Sequence, residues 1–213
     1  MTEPMHRTPD AEEWDERYRS ADQVWSGEPN GALLAEAVAL PPGRALDVGC
    51  GEGADAVWLA QRGWQVTALD VSSVALERAR RHARDAGVEV SWLHAGLVEA
   101  ELPAESFDLV SAQYAVLLKT SGQVAERTLA GLVALGGTLL VVHHDLGPEH
   151  LHEGGFDPAL YALPADVAAV LGEGWRVEVD ERRPRVVSGG AGAHHIQDLV
   201  LKARRSASAA SVS

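Results

Sequence analysis

The chain has a single cysteine, Cys50, in 213 residues. An intramolecular disulfide is excluded, and the composition fits a reducing compartment, the cytoplasm. Bases are also scarce. Eighteen lysines and arginines face 31 aspartates and glutamates, a formal charge of −13, which opposes a phosphate backbone and argues against a nucleic-acid partner. No apolar run approaches the length of a membrane span. Met1 to Asp10 carries charges and prolines where a secretory signal would have an apolar centre, so neither a signal nor a membrane partner is expected. No repeat or linker divides the sequence, which at this length suits one domain with a sizeable core.

Glycine, by contrast, is present where it matters. Ala45-Leu46-Asp47-Val48 is a short, mostly apolar run of the kind that makes a buried parallel strand, and Gly49, Gly51 and Gly53 follow it at alternating positions. Three glycines let the backbone turn tightly and leave it bare for a ligand. Cys50, between two of them, reads as a small residue required by the turn rather than as a nucleophile. Ala54 to Gln61 then reads as a helix stopped by Gly63, and Gln65 to Asp70 as a second strand. Asp70 therefore stands at the carboxyl edge of the sheet, where doubly wound folds bind ligands, with a carboxylate able to accept hydrogen bonds from both hydroxyls of a ribose.

The same glycines fit G-x-G-x-x-A, so an NAD(P)-dependent oxidoreductase is a rival reading, as is a non-catalytic cofactor-binding or sensor protein that keeps the loop without an acceptor pocket. Asp47 separates the ligands. An acid two residues before the first glycine repels a pyrophosphate and attracts an amine or a sulfonium. The charge logic favours S-adenosylmethionine over a dinucleotide.

Leu46-Asp47-Val48-Gly49-Cys50-Gly51-Glu52-Gly53 resembles motif I of the class I S-adenosylmethionine-dependent methyltransferases, and Asp70 resembles their ribose-binding acid. Phe107-Asp108-Leu109-Val110 and Gly136-Gly137-Thr138-Leu139-Leu140 resemble the fourth and fifth strands, so the likeness runs from about Trp14 to Arg204. Trp14 to Tyr18 and Trp25 to Asn30 are most similar to small-molecule methyltransferases of the tellurite-resistance and thiopurine type. The resemblance implies an α/β fold: a single-domain, doubly wound, Rossmann-like sheet of seven strands, mostly parallel with a C-terminal antiparallel strand. It also implies an N-terminal helical lid over residues 1–43, a core over 44–205, and a small-molecule methyl acceptor. Residues 206–213, rich in serine and alanine, read as a disordered tail.

Along the chain, helices are expected at Trp14–Ser20, Gly31–Leu40, Val74–Ala86, Gln123–Leu135 and Pro164–Leu171. Further strands are expected at Val88–Leu93, Phe107–Gln113, Thr138–His143, Trp175–Arg182 and Ile196–Ala203. Alternating strands and helices predict a parallel sheet with its site along the carboxyl ends of strands one, two, four and five. Arg78, Arg80, Arg81 and Arg84 read as a solvated helix face.

From the resemblance, Asp47, Gly49, Gly51 and Asp70 surround the cofactor, with Gln113 and the aromatic Trp25 beside it. The family's adenine-binding acid after the third strand is replaced here by Gly96, leaving Leu97 and Val71 to hold the base. Strand four ends Ser111-Ala112-Gln113-Tyr114 and not Asn/Asp-Pro-Pro-Tyr, which argues against methylation of DNA or of a protein amide. On the acceptor side, Tyr114, His143 and His144 follow strands four and five and are the candidates to orient an acceptor or take its proton. His143 and His144 point to opposite faces of a strand, so one of them is expected to matter. His150, His152, His194 and His195 lack metal-ligand spacing, and no metal is expected.

Overall fold

The computed structural model describes residues 11–145, 158–185, 189–191 and 194–207. The N-terminal residues read against a signal, His150, His152 and positions 208–213 of the tail lie outside them.

Seven strands form one sheet in the order β3-β2-β1-β4-β5-β7-β6. They are β1 Arg44–Val48, β2 Gln65–Asp70, β3 Ser91–His94, β4 Phe107–Gln113, β5 Val133–His144, β6 Trp175–Pro184 and β7 Gln197–Arg205. Strands β1 to β5 are parallel, and β7 runs antiparallel to both β5 and β6. The expected sheet is therefore present. The helices are α1 Ala11–Arg19, α2 Gly31–Ala37, α3 Ala54–Gln61, α4 Ser73–Asp85, α5 Val124–Leu132 and α6 Pro164–Val170.

Two cores follow from the pleat. Leu46, Val48, Val110, Leu139 and Val141 face α5 and α6, while Ala45, Leu109, Leu140 and Val142 face α2 and α3. Each fully buried leucine, such as Leu33, Leu59 or Leu139, contributes about 1.5–3 kcal/mol of burial free energy. Helix α4 packs beside α3, and α1 lies on α4.

Several boundaries differ from the sequence expectation. Helix α5 stops at Leu132 instead of Leu135, because Val133 is taken into the sheet opposite Phe107 and buried in the core. Strand β3 starts at Ser91 because Val88 donates to Ala83 O and Gly87 (φ +66°) to Arg84 O, closing the C-terminus of α4. Helix α2 ends at Ala37 in a turn where Leu40 N donates to Ala37 O. Helix α1 begins at Ala11, ahead of Trp14. Ser206 is tied into the sheet's end by a hydrogen bond to Gly174 O (2.8 Å). Among the described residues no helix is long and apolar enough to cross a membrane.

Candidate functional site

The order of strands reverses between β1 and β4, and a doubly wound sheet opens its ligand crevice at that switch point. The loop leaving β1 sits there. Gly49, Gly51 and Gly53 have φ of +68°, +52° and +85°, a run of left-handed residues that side chains would strain. Gly49 N and Cys50 N both donate to Leu69 O (2.9 and 3.0 Å), which fixes the loop against β2. Gly49 also faces Ala115, since a Cβ there would lie 3.1 Å from the Ala115 methyl. The first glycine thus touches the segment that follows β4.

Asp47, on the α2/α3 face of β1, is 2 % exposed. It accepts from Ala56 N at the start of α3, but its Oδ2 is buried with no partner. Burial pushes its carboxyl well above the usual range, and the nearby Asp55 and Asp70 push it further. A buried acceptor left in this state lacks a donor, and its charge lacks a cation. Gln113, on the same face of the neighbouring strand β4, donates to Ser111 Oγ (3.1 Å) and likewise leaves Oε1 buried without a partner.

Asp70 does structural work as well. Its Oδ2 accepts from Gly51 N and its Oδ1 from Ser72 N, both at 2.8 Å, so it caps the turn and steadies the loop. Burial raises its pKa, against which these backbone bonds work. Val71 N also bonds the carboxylate, and the acceptor capacity that remains is open to a ribose hydroxyl.

Trp25 and Tyr18 cover the loop. Trp25 Nε1 donates to Tyr18 Oη (2.8 Å), and a Cβ on Gly51 would lie 2.9 Å from that hydroxyl and 3.2 Å from Nε1. Burial, and then the charge of Asp70, raises the Tyr18 phenol far above its usual value. The segment is latched by two residues that sequence reading missed or misread. Glu52, in the glycine loop, accepts from Trp25 N (3.0 Å) and Val24 N (3.2 Å). Arg78 pairs with Glu52 (2.8 Å) and donates to the carbonyls of Tyr18 and Ala21. Arg78 therefore does not belong to a solvated face, as its neighbours in sequence suggested. Asp15 of α1 accepts from Ser72 Oγ (2.6 Å), Ser73 Oγ (2.9 Å) and Val74 N (3.2 Å), binding α1 to the start of α4.

After β3, Leu97 is buried and Val71 lies near Gly96. A Cβ on Gly96 would collide with Glu99 Oε2. The carboxylate of Glu99 thus lies on the bare backbone of Gly96, where the side chain of an aspartate at 96 would be. A carboxylate three residues beyond the expected position was the signal available in the sequence.

Of the three residues expected on the acceptor side, Tyr114 (φ +56°) and His144 stack, while His143 meets the His144 ring at its edge, with centroids 6.0 Å apart. The Tyr114 and His144 rings stack with centroids 4.2 Å apart, and the Tyr114 hydroxyl donates to Asp198 Oδ2 (2.8 Å). His143 turns to the other face of β5, 5 % exposed, with Nδ1 3.2 Å from His144 O.

The strand order with β7 inserted antiparallel, the three-glycine loop and the two strand-end acids go together in one fold. It is the fold of S-adenosylmethionine-dependent methyltransferases of known structure. The comparisons bring the chain to particular relatives. Residues 45–136 match the family described as methyltransferase domain. An uncharacterized methyltransferase of Mycobacterium tuberculosis is 42% identical over 122 residues, 57% of this chain and 61% of the relative. The chain thus spans about three-fifths of that relative's length. A structure from work on conversion of a disulfide bond into a thioacetal group during echinomycin biosynthesis superposes with a TM-score of 0.73, covering 95% of both chains at 23% identity. Magnesium protoporphyrin IX methyltransferase from Synechocystis PCC 6803, solved with bound S-adenosylmethionine, gives 0.56 over 82% of this chain and 76% of that one, at 21% identity.

Proposed function

We propose that this chain is an S-adenosylmethionine-dependent methyltransferase acting on a small-molecule acceptor. The observation that carries the reading is the orphaned Oδ2 of Asp47, buried beside bare glycine backbone at the sheet's switch point. A carboxylate in that state is matched by a cation, and a methionine ammonium supplies one. A dinucleotide would bring a pyrophosphate to an acid already raised by burial and by two neighbouring carboxylates. The usual dinucleotide order, 3-2-1-4-5-6, also lacks the inserted antiparallel strand.

The residues present fit the cofactor. Asp47, with the unpartnered Gln113 Oε1, would hold the ammonium, and Asp70 the ribose hydroxyls. Gly49 and Gly51 would give close backbone approach, and Leu97 and Val71 apolar contact to the adenine. Glu99 would accept from the adenine amine in the role that Gly96 leaves open. When bound, the cofactor supplies an electrophilic methyl on a sulfonium.

Tyr18 and Trp25 exclude water, so that residues 1–43 act as a lid and the reaction proceeds in a dry site. Aromatic faces also favour a neighbouring sulfonium. The acidic surface opposes nucleic acid as acceptor, and the single thiol suits the cytoplasm.

Calorimetry with S-adenosylhomocysteine and with NAD tests the reading, followed by mass spectrometry of a panel of thiols, phenols, heterocycles and metalloid anions incubated with S-adenosylmethionine. Binding of the homocysteine product, no binding of NAD and one methylated panel member are expected. NAD binding in its place would refute the assignment.

A further inference from the structure

Among the described residues, the most elaborate polar assembly outside the cofactor crevice lies where β4, β5 and β7 end together. We infer that His144 takes the proton of the methyl acceptor and that Asp198 is the residue that positions it, an inference that rests on the methyl-transfer reading above.

The register of β5 and β7 sets His144 directly opposite Asp198. His144 Nδ1 and Asp198 Oδ1 lie 3.5 Å apart, both atoms buried, and the Arg185 guanidinium lies 3.8 Å from the same Asp198 oxygen. An imidazole N–H facing a carboxylate oxygen is a complementary pair. With the proton on Nδ1, the lone pair is on Nε2. The ring keeps 16% exposure while Nδ1 has none, so its open side is the edge away from Asp198.

The ring's plane is held from both sides. Tyr114 and His195 each stack on His144 with centroids 4.2 Å apart and planes inclined by 24°. Asp198 is itself held, because Tyr114 donates to its Oδ2 and Arg185 Nε donates to the Tyr114 hydroxyl at 3.1 Å. Tyr114 has spent its proton on Asp198, so it supports the pair and is not the base. His143 alternates with His144 along β5, so its ring leaves from the other face of the strand and meets the His144 ring at its edge, with centroids 6.0 Å apart.

The groups facing His144 are Asp198, Arg185, Tyr114 and the other histidines of the cluster. Burial lowers its pKa, and Arg185 and His194 act in the same direction against Asp198. The imidazole is therefore neutral at neutral pH, as a base must be. The assembly adjoins the cofactor loop, since Ala115, the residue after Tyr114, touches Gly49.

The acceptor class is a molecule whose nucleophilic oxygen, nitrogen or sulfur arrives carrying a proton. As that atom forms its bond to the methyl, its proton passes to His144 Nε2. The electron pair of the broken carbon–sulfur bond stays on sulfur, and the positive charge that began there ends on the imidazolium beside Asp198.

Long-range proton–nitrogen NMR of the histidine rings in the full chain, without cofactor, is the first test. His144 is expected as the Nδ1–H tautomer, and Asp198→Asn should lower its pKa and disturb the tautomer. An Nε2–H tautomer in the parent, or an unchanged titration in Asp198→Asn, overturns the inference. The second test is transfer to whichever thiol, phenol or heterocycle of the panel the parent methylates. His144→Gln should lose on the order of 100-fold in kcat while binding S-adenosylhomocysteine as the parent does. Undiminished turnover would also overturn it. Failure of the parent to bind S-adenosylhomocysteine would sink the methyl-transfer reading instead, whatever the NMR result.

Discussion

Asp47→Asn should move ligand affinity and protein stability in opposite directions. In the free protein the carboxyl is buried, leaves one oxygen without a donor, and is pushed above its ordinary pKa by burial and by Asp55 and Asp70. Asparagine keeps the shape and the acceptor for Ala56 N while removing a charge the interior opposes. The melting temperature should be equal or higher, the pattern expected of a functional site that costs stability. Binding should suffer. Losing a hydrogen bond between charged groups costs about 1.5–3 kcal/mol, or roughly ten- to 150-fold in Kd. The linkage has a definite sign. A cationic ligand favours the ionised carboxylate, so binding releases protons over the pH range in which the raised group is still partly protonated, and affinity falls as pH falls through that range. In the asparagine variant this proton release disappears. Titration calorimetry with S-adenosylhomocysteine, in buffers of different ionisation enthalpy, measures both quantities, and scanning calorimetry measures the third. Unchanged affinity together with unchanged proton release would refute the pairing of Asp47 with the ammonium.

Two further outcomes can be checked with similar means. The parent should prefer S-adenosylhomocysteine to its inosine counterpart, which lacks the adenine amine, and Glu99→Ala should bind the two alike; a preference retained in the variant would exclude Glu99 as the acceptor. In Glu36, burial raises the pKa but hydrogen bonds from Arg183 (2.7 Å) and Lys202 (3.3 Å) outweigh it, leaving the group below its usual value. Its stabilisation is therefore present above the usual carboxylate pKa and lost as pH falls through the lowered one, so Glu36→Gln should cost on the order of 1 kcal/mol at neutral pH, about 2–4 °C in melting temperature, and nothing in strong acid; a pH-independent cost would contradict this.

What the sequence made legible was local. The alternation of strands and helices is read one element at a time, and the glycine loop and the acids Asp47 and Asp70 lie within one β-α-β unit, where a short-range pattern determines the geometry. The rest depends on partners far along the chain. Glu52 meets Val24 across 28 residues, and Tyr114 meets Asp198 across 84. Neither pairing has a periodic signature. Arg78 was misjudged because charge patterning considers one helix alone, whereas its partners are on the loop after β1, at the end of α1 and on the segment after it. Helix α5 was extended too far because propensity cannot anticipate that Val133 pairs with Phe107.

The latch of the N-terminal segment grips main chain, not side chains. Glu52 takes the amide groups of Val24 and Trp25, and Arg78 the carbonyl groups of Tyr18 and Ala21. The grip itself uses no side-chain atom of residues 18, 21, 24 or 25. Attachment and contact are thereby inherited separately. On the methyl-transfer reading proposed above, the rings of Tyr18 and Trp25 are open to exchange for a differently shaped acceptor while the covering segment stays fastened by its main chain.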